Sequence, residues 1–167
     1  MEKVDGIGKV LINSIINANV LSKAVEELQF IEEQEIQHLF YGDKNYPNRL
    51  KQCEDAPLNL YFKGNVNWES NFVSIVGTRK ASASSKLFTE KLVKDLAPYN
   101  PIIVSGLAHG IDIVAHKAAL KYGLKTVAVF AHGLDKVYPS VHAAIAKQIS
   151  ENGCLLTDYM SKTVALP

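Results

Sequence analysis

The chain has few cysteines and no long apolar run, and each shortage excludes a class of protein. Only two cysteines, Cys53 and Cys154, occur in 167 residues, and neither lies in a CxxC or Cys/His spacing. They indicate free thiols of a reducing cytoplasm and give no support for a metal site. No apolar run approaches the roughly 18 residues that a membrane span needs, and no signal peptide begins the chain. We therefore expect a cytoplasmic protein that holds no metal and does not enter a membrane.

Neither sign of charge is in large excess, but the charges are unevenly distributed. Residues 1–70 carry 7 Lys/Arg and 11 Asp/Glu, a net charge of −4, whereas residues 71–167 carry 11 and 6, a net charge of +5. A mildly basic second part favours an anionic ligand, either a nucleotide or a nucleic acid. A chance asymmetry on solvated faces explains the same numbers.

The first half of the chain predicts a small helical segment followed by a connecting region. Apolar spacing predicts a helix over 7–18, and Ser22 is placed to cap a second one. Ahead of them, Asp5-Gly6-Ile7-Gly8 resembles the glycine turn of a helix-hairpin-helix, although a plain N-terminal turn is the simpler interpretation. Residues 36–62 alternate short apolar stretches with turn residues, and Pro47 is suited to open a helical turn. The predicted domains are therefore residues 1–35, helical, and residues 36–167.

From residue 72 onward, strands and helices alternate. The continuous apolar runs FVSIVG, PIIVSG, KTVAVF and GCLLT predict four buried strands. Helices are predicted at 85–97, 110–122 and 141–149. This order indicates an α/β fold with a doubly wound, mostly parallel sheet. The first of these helices is predicted to bury one face, formed by Leu87, Phe88, Leu92, Val93 and Leu96.

Three glycine-containing loops follow the first three of these strands: VGTRKAS at 76–82, SGLAHGID at 105–112 and HGLDKVYP at 132–139. In such sheets ligands sit beyond the carboxyl ends of the strands, where helix N-termini attract anions. Gly77, Gly106 and Gly110 permit close backbone approach. Arg79 and Lys80 are placed to bind a phosphate or to stack on a base. The sequence therefore predicts an extended anion site at this edge.

Motif logic excludes the common nucleotide cofactors. Neither GxGxxG nor GxxxxGK[ST] occurs in this part of the chain, and no acidic residue follows the second strand, so we expect no NAD or ATP. His109 and Asp112 invite a catalytic interpretation, but no HExxH or GxSxG motif supports it. A structural role is simpler: Asp112 caps the helix start, and His116 hydrogen-bonds Asp112. We expect no catalytic residues.

With these residues in view, the chain resembles the DNA-processing protein A family (DprA, also called Smf). The match covers roughly residues 36–160, and its order and spacing are specific. Four stretches carry it: Ile75-Val76-Gly77-Thr78-Arg79-Lys80-Ala81-Ser82, Ser105-Gly106-Leu107-Ala108-His109-Gly110-Ile111-Asp112, Ala115-His116-Lys117-Ala118-Ala119-Leu120 and Gly133-Leu134-Asp135-Lys136-Val137-Tyr138-Pro139. Upstream, Gly42-Asp43, Tyr46-Pro47 and Asp55-Ala56-Pro57 also follow the family pattern.

The resemblance implies a Rossmann-like fold that binds single-stranded DNA, without a cofactor or catalysis. It implies partners too: the RecA recombinase, which family members help to load during natural transformation, and a second copy in a homodimer. It implies that Arg79 contacts DNA phosphate. The full set of expected DNA-binding residues is Gly77, Thr78, Arg79, Lys80, Ser105, Gly106, His109, Gly110 and Lys136. The residues expected to support the loops are Asp112, His116, Asp135, Tyr138 and Pro139.

The chain departs from the family pattern at three places. Ser84-Ser85 stand where the family usually has Tyr-Gly, and Ser140 stands where many members have a DNA-binding lysine. The chain stops at Pro167, before the family's Phe-Pro-x-Arg-Asn-Arg segment, so we expect the second domain to be C-terminally incomplete. Two alternative functions stay open. One is an enzyme that processes nucleoside monophosphates on a related Rossmann-like fold, and the other is a protein-interaction remnant without DNA binding.

Overall fold

The computed structural model describes residues 8–18 and 20–164. The chain divides into two compact units, Met1–Gln34 and Glu35–Pro167. Asp5, Gly6 and Ile7 of the predicted glycine turn lie outside the described residues. Within those two ranges, no helix is both long enough and apolar enough to cross a membrane.

The first unit contains two helices, α1 (Lys9–Asn17) and α2 (Val20–Glu33). The predicted first helix is present, one to two residues shorter at each end. Ser22 lies inside α2 and does not cap it, because the helix begins two residues earlier.

The second unit is a six-stranded sheet with helices. Its elements in chain order are β1 (Gln37–Phe40), α3 (Asn48–Lys51), β2 (Asn59–Gly64), β3 (Phe72–Ser74), α4 (Ala83–Leu96), β4 (Ile102–Ser105), α5 (Ile111–Lys121), β5 (Thr126–Val129), α6 (Ala143–Asn152) and β6 (Cys154–Thr157). Short 3-10 turns at Ala97–Tyr99 and Ser140–His142 end α4 and precede α6. This mixed α/β architecture confirms the predicted fold class.

The strand order explains how the loops come together. The order is β1-β2-β6-β5-β4-β3; β3 to β6 are parallel, and β1 and β2 are antiparallel additions beside β6. The region predicted as a mere connection, 36–62, thus supplies two strands. Since the parallel strands point the same way, the carboxyl ends of β3, β4 and β5 lie at one edge of the sheet.

The helices α4, α5 and α6 cover the same face of the sheet. Each right-handed crossover moves one strand along in the same direction, and this places each helix on the same side. Ile103, Ala128 and Leu155 share that face by register, and they pack in clusters with buried residues of α4, α5 and α6. The described strands thus form one half of a double winding.

The opposite face is covered only in part. Cys154 and Val127 pack there with Phe62, Val66 and the partly buried Trp68. Beyond them lies a cavity of about 450 Å³. Its apolar floor includes Val104, Val127, Val129 and Leu156. Parallel sheets are normally covered on both faces, whereas here part of the second face opens onto this cavity.

The β3 edge is more exposed than the sequence predicts. FVSIVG was predicted to be a buried strand, but β3 is an edge strand whose residues are half-buried or exposed, and Val76 beyond it is 81% exposed. On α4, Val93 is fully buried, whereas Leu87 and Phe88 are each 68% exposed. Leu92 is also exposed. The prediction of one buried face is therefore wrong for these three residues, because α4 packs on α5 and the sheet mainly through Val93 and Leu96.

This difference predicts opposite costs for two apolar truncations. Ile103→Ala removes a fully buried side chain from β4, and we expect a loss of about 2–5 kcal/mol in the free energy of unfolding. Leu87→Ala removes an exposed side chain from α4, and we expect a change within about 0.5 kcal/mol. Urea denaturation of both variants measures this, and similar losses for the two would contradict the burial described here.

Candidate functional site

Three loops form the edge at the carboxyl ends of β3, β4 and β5, and we call residues 75–82, 106–110 and 130–139 the three-loop edge. Its first two loops interlock through their backbones. The Ile111 amide donates to the Thr78 carbonyl at 3.3 Å. Gly110 has a φ of +88°, and a Cβ there would lie 2.0 Å from the Thr78 carbonyl oxygen. Only glycine fits this contact, so it fixes the first loop against the start of α5.

Three cationic side chains stand at this edge. Arg79 and Lys80 in the first loop and Lys136 in the third are exposed, and none makes an ion pair with any residue that the structure describes. The Lys80 amide donates to Thr78 Oγ1 at 3.1 Å, which orders the turn that carries both first-loop cations. The edge therefore presents positive charge that no neighbouring carboxylate neutralises.

The N-terminus of α4 adds backbone donors beside these cations. Ser82 caps the helix, and its hydroxyl oxygen accepts from the Ser85 amide at 3.1 Å. A cap of this kind leaves other first-turn amides free. Ser84 and Ser85 are thus part of a capped helix start.

Ser105 does not offer a hydroxyl to a ligand. It is buried, with 3% of its surface exposed, and its hydroxyl donates to the Ile75 carbonyl at 2.6 Å. Ser105 was expected among the DNA-binding residues, and its hydroxyl is not available for that contact. The hydroxyl instead fastens the end of β4 to the first loop, a contact across 30 positions of sequence.

His116 supports the second loop, but not through Asp112. Its Nε2 lies 2.6 Å from the Gly106 carbonyl oxygen, and its Nδ1 lies 2.7 Å from Thr126 Oγ1. Nε2–H donates to the Gly106 carbonyl, whereas Nδ1 lies against the Thr126 hydroxyl, whose single proton also has the Ile103 carbonyl oxygen as an acceptor at 2.8 Å. Burial lowers the pKa of His116, because desolvation outweighs the hydrogen bond to Gly106 and the nearby Asp112 carboxylate. The predicted hydrogen bond from His116 to Asp112 is thus replaced by these two.

Asp112 lies in the first turn of α5 and is buried. Its Oδ2 accepts from the Ala108 amide at 3.4 Å and lies 2.5 Å from where a Cβ on Gly106 would be. Its Oδ1 has no hydrogen-bond partner in the described structure. A carboxylate is favourable at a helix N-terminus, so Asp112 holds the second loop against α5.

The third loop is tied to the second through two histidines. His142 Nδ1 donates to the Leu107 carbonyl at 2.7 Å, and the exposed His109 ring packs edge-on against His142 with centroids 4.8 Å apart. On the other side, Asp135 Oδ1 accepts from the Lys162 amide at 2.9 Å. The third loop is therefore held between the second loop and the segment after β6.

Two predicted supports differ from each other. Pro139 is half-buried and follows a cis peptide bond. Tyr138, in contrast, is 65% exposed. Sequence reasoning missed that Val76 and Val141 are also exposed beside the loops, at 81% and 71%. Their positions directly after β3 and before α6 were the available signal. The edge thus combines free cations with exposed apolar and aromatic surface.

No group of three or more His, Cys, Asp or Glu side chains within 8–18 and 20–164 is arranged to hold a metal ion. Of the two cysteines, Cys53 is exposed and Cys154 is buried. Burial raises the pKa of the Cys154 thiol to about 12, so this thiol is not a nucleophile near neutral pH.

Comparison with known proteins shows which family the chain is similar to. A sequence profile of the family described as DNA recombination-mediator protein A matches residues 37–167. Protein Smf of Synechocystis sp. is 33% identical over 94% of this chain and 41% of its own length. DNA processing protein DprA of Streptococcus pneumoniae is 39% identical over 70% of this chain and 42% of its own length. The chain thus spans less than half the length of these curated relatives.

Two solved structures share the fold. The crystal structure of DNA processing protein A from Streptococcus pneumoniae superposes with a TM-score of 0.74 and 36% identity, over 80% of this chain and 47% of that one. DNA processing protein A from Helicobacter pylori, described for its single-stranded DNA binding mode, gives a TM-score of 0.70 and 31% identity, over 78% of this chain and 59% of that one.

The buried His116 predicts a pH dependence of stability. Its folded-state pKa lies below the unfolded value of about 6.5, so the unfolded chain binds the proton more readily. Stability contributed by neutral His116 is present above about pH 6.5 and is lost as the pH falls from there toward the folded-state pKa. Urea midpoints between about pH 5.5 and 7.5 measure this, and His116→Gln should flatten part of the slope. An unchanged slope in His116→Gln would contradict the assignment.

The interlock of the first two loops predicts a difference between two glycine substitutions. Gly123 also has a positive φ, +73°, but nothing lies within 4 Å of a Cβ there. Gly123→Ala should therefore cost only the backbone strain, about 1–3 kcal/mol. Gly110→Ala is strained too, at φ +88° and ψ −125°, and it also meets the Thr78 carbonyl, so we expect a loss larger by ~1–3 kcal/mol. Urea denaturation compares the two, and equal losses would count against the interlock.

Proposed function

The chain belongs to the DNA recombination-mediator protein A family, and from that premise we propose that it binds single-stranded DNA along the three-loop edge. The observation that carries the proposal is the set of unpaired cations, Arg79, Lys80 and Lys136, at the carboxyl edge of a parallel sheet. Phosphate contacts from Lys and Arg supply most of the affinity in non-specific nucleic-acid binding.

The exposed apolar and aromatic side chains favour a single strand over a duplex. Tyr138 on the third loop and Val76 on the first lie in the same loops as the cations. In a single strand the base faces are open to stack on such side chains, at about 1–3 kcal/mol per base on an aromatic ring. In a duplex those faces are already stacked. The H. pylori relative, described for single-stranded DNA binding, supports the same choice.

In the proposed site each part of the edge has a distinct role. Arg79 forks onto a phosphate, while Lys80 and Lys136 neutralise its neighbours. Backbone at Gly77, Thr78, Gly106 and Gly110 permits close approach of the strand, and His109 lies exposed beside it. Ser105, Asp112, His116, Asp135 and Pro139 position the loops without touching DNA. Tyr138 moves from a supporting role to a candidate base-stacking side chain.

We further propose that the chain acts by binding and not by catalysis. The Ser105 hydroxyl is committed to the Ile75 carbonyl, and Asp112 is buried against the second loop. Neither forms a nucleophile–base pair with His109, as covalent catalysis would need. None of the three loops carries a glutamate, which the alternative nucleoside-monophosphate enzyme would need. An assay of ribose release from nucleoside monophosphates tests that alternative.

The family is described as a recombination mediator, so we extend the proposal to a recombinase partner. A mediator delivers a single strand to the protein that pairs it, and we propose RecA as that partner. A homodimer stays a prediction from the resemblance. Pull-down of RecA with and without single-stranded DNA tests the first, and RecA capture without DNA binding would favour an interaction module.

Removing the guanidinium tests the site directly. Arg79→Ala should weaken binding of an oligothymidylate about tenfold or more at low salt, since a hydrogen bond to a charged group contributes about 1.5–3 kcal/mol. The slope of log affinity against log salt should fall by ~0.7, the value for one phosphate on a single strand. Arg79→Lys should keep the slope and lose part of the affinity, because an ammonium cannot fork.

Fluorescence anisotropy at several salt concentrations measures both quantities. Lys147→Ala is the matched control, since it removes an exposed charge from α6 and not from the three-loop edge. Equal binding by Arg79→Ala and the unmodified chain would refute the site, and no binding by the unmodified chain at low salt would refute the function.

A further inference from the structure

A groove between α4 and α5 carries cations that the three-loop edge does not use. It encloses about 280 Å³, and its lining includes Lys86, Lys117 and Lys121 with a single acidic side chain, Glu90. Leu87 and Val114 form apolar surface between the charges. The groove is therefore basic with an apolar floor.

Only one of its three lysines is neutralised. Lys121 Nζ lies 2.6 Å from Glu90 Oε1, and the Tyr122 hydroxyl donates to the same oxygen at 3.3 Å. These contacts also lower the pKa of the Glu90 carboxyl, chiefly through the Lys121 hydrogen bond. Lys86 and Lys117 are exposed and pair with no described residue. Two positive charges are thus left free in one groove.

Both helices that form the groove begin at the three-loop edge. α4 begins directly after the first loop and α5 directly after the second, and the two helices pack side by side. Lys86 lies three residues into α4. Lys117 lies seven residues beyond the Gly110 cap, about 10 Å along the helix axis at 1.5 Å per residue. A nucleic-acid strand that runs from the first two loops along these helices would reach the two lysines next.

We propose that this groove is a second contact site for single-stranded nucleic acid, in which Lys86 and Lys117 each neutralise a phosphate downstream of the three-loop edge. The inference rests on the proposed function, because it extends the path of the same strand. Basic grooves with apolar surface are how proteins follow a single strand without reading its sequence. An acidic protein segment is the competing occupant, and the positive charge alone would suit either one. The start of both helices at the three-loop edge favours the nucleic acid.

The length of the bound strand distinguishes this groove from the edge. Lys86→Gln/Lys117→Gln should reduce the slope of log affinity against log salt by ~1.4 on an oligothymidylate of about 20 nucleotides. On one of about 5 nucleotides, which the three-loop edge alone would hold, the same variant should bind like the unmodified chain. Arg79→Ala should weaken binding at both lengths, so a failure at the edge is separable from a failure in the groove.

The matched control is Lys94→Gln/Lys147→Gln, which removes the same charge from positions that do not line the groove. It should leave the slope on the long oligonucleotide nearly unchanged. Equal slopes for the two double variants would overturn the groove while leaving the three-loop edge intact. A fluorescent poly-glutamate peptide whose binding is lost only in Lys86→Gln/Lys117→Gln, with DNA binding unchanged, would also overturn the proposal and assign the groove to a protein.

Discussion

The Thr78 carbonyl oxygen accepts the Ile111 amide and closes against Gly110, and the geometry of the three-loop edge follows from this contact. Because Arg79 is the next residue, its guanidinium starts from a backbone fixed against α5. A backbone contact of this kind does not depend on a side-chain rotamer, so it holds the cation without burying it. The same contact explains why the second loop needs glycine at position 110 and why the first loop is not a free turn.

Behind the edge, the polar side chains that suggest chemistry are used for support. The Ser105 hydroxyl, the His116 ring and the Asp112 carboxylate all bind groups of the protein's own backbone or core. Buried polar groups must usually be hydrogen-bonded to be tolerated, and the loop backbones supply these partners except at Asp112 Oδ1, which has none in the described structure. Unpaired cations need the opposite environment, because burying a charge without a partner is costly. An exposed ammonium or guanidinium loses its hydration only when a ligand binds. These three supporting side chains are therefore buried, whereas the three cations of the edge are exposed.

The fold was predictable because strand and helix periods alternate clearly after residue 72. The details that failed depend on partners distant in sequence. Ser105 binds a carbonyl 30 positions away, and His116 reaches Thr126 on the next strand, neither of which a local pattern reports. Leu87 and Phe88 show the helical spacing of a buried face, but periodicity cannot say whether anything covers that face. Likewise, residues 36–62 were predicted as a connecting region. Their alternating pattern does not indicate that two strands form there and pair beside β6.

The number of unpaired cations limits what the edge alone can do. With three of them, the expected slope of log affinity against log salt at the proposed site is about −2, that of a weak site with a shallow salt dependence. Glycine backbone and helix amides position a phosphate but add no net charge. Affinity must therefore grow with the length of strand that meets further cations on one continuous path. For this reason, the excess positive charge of residues 71–167 would add affinity only where the cations follow the bound nucleic acid. We propose this arrangement for Lys86 and Lys117, beyond the first two loops.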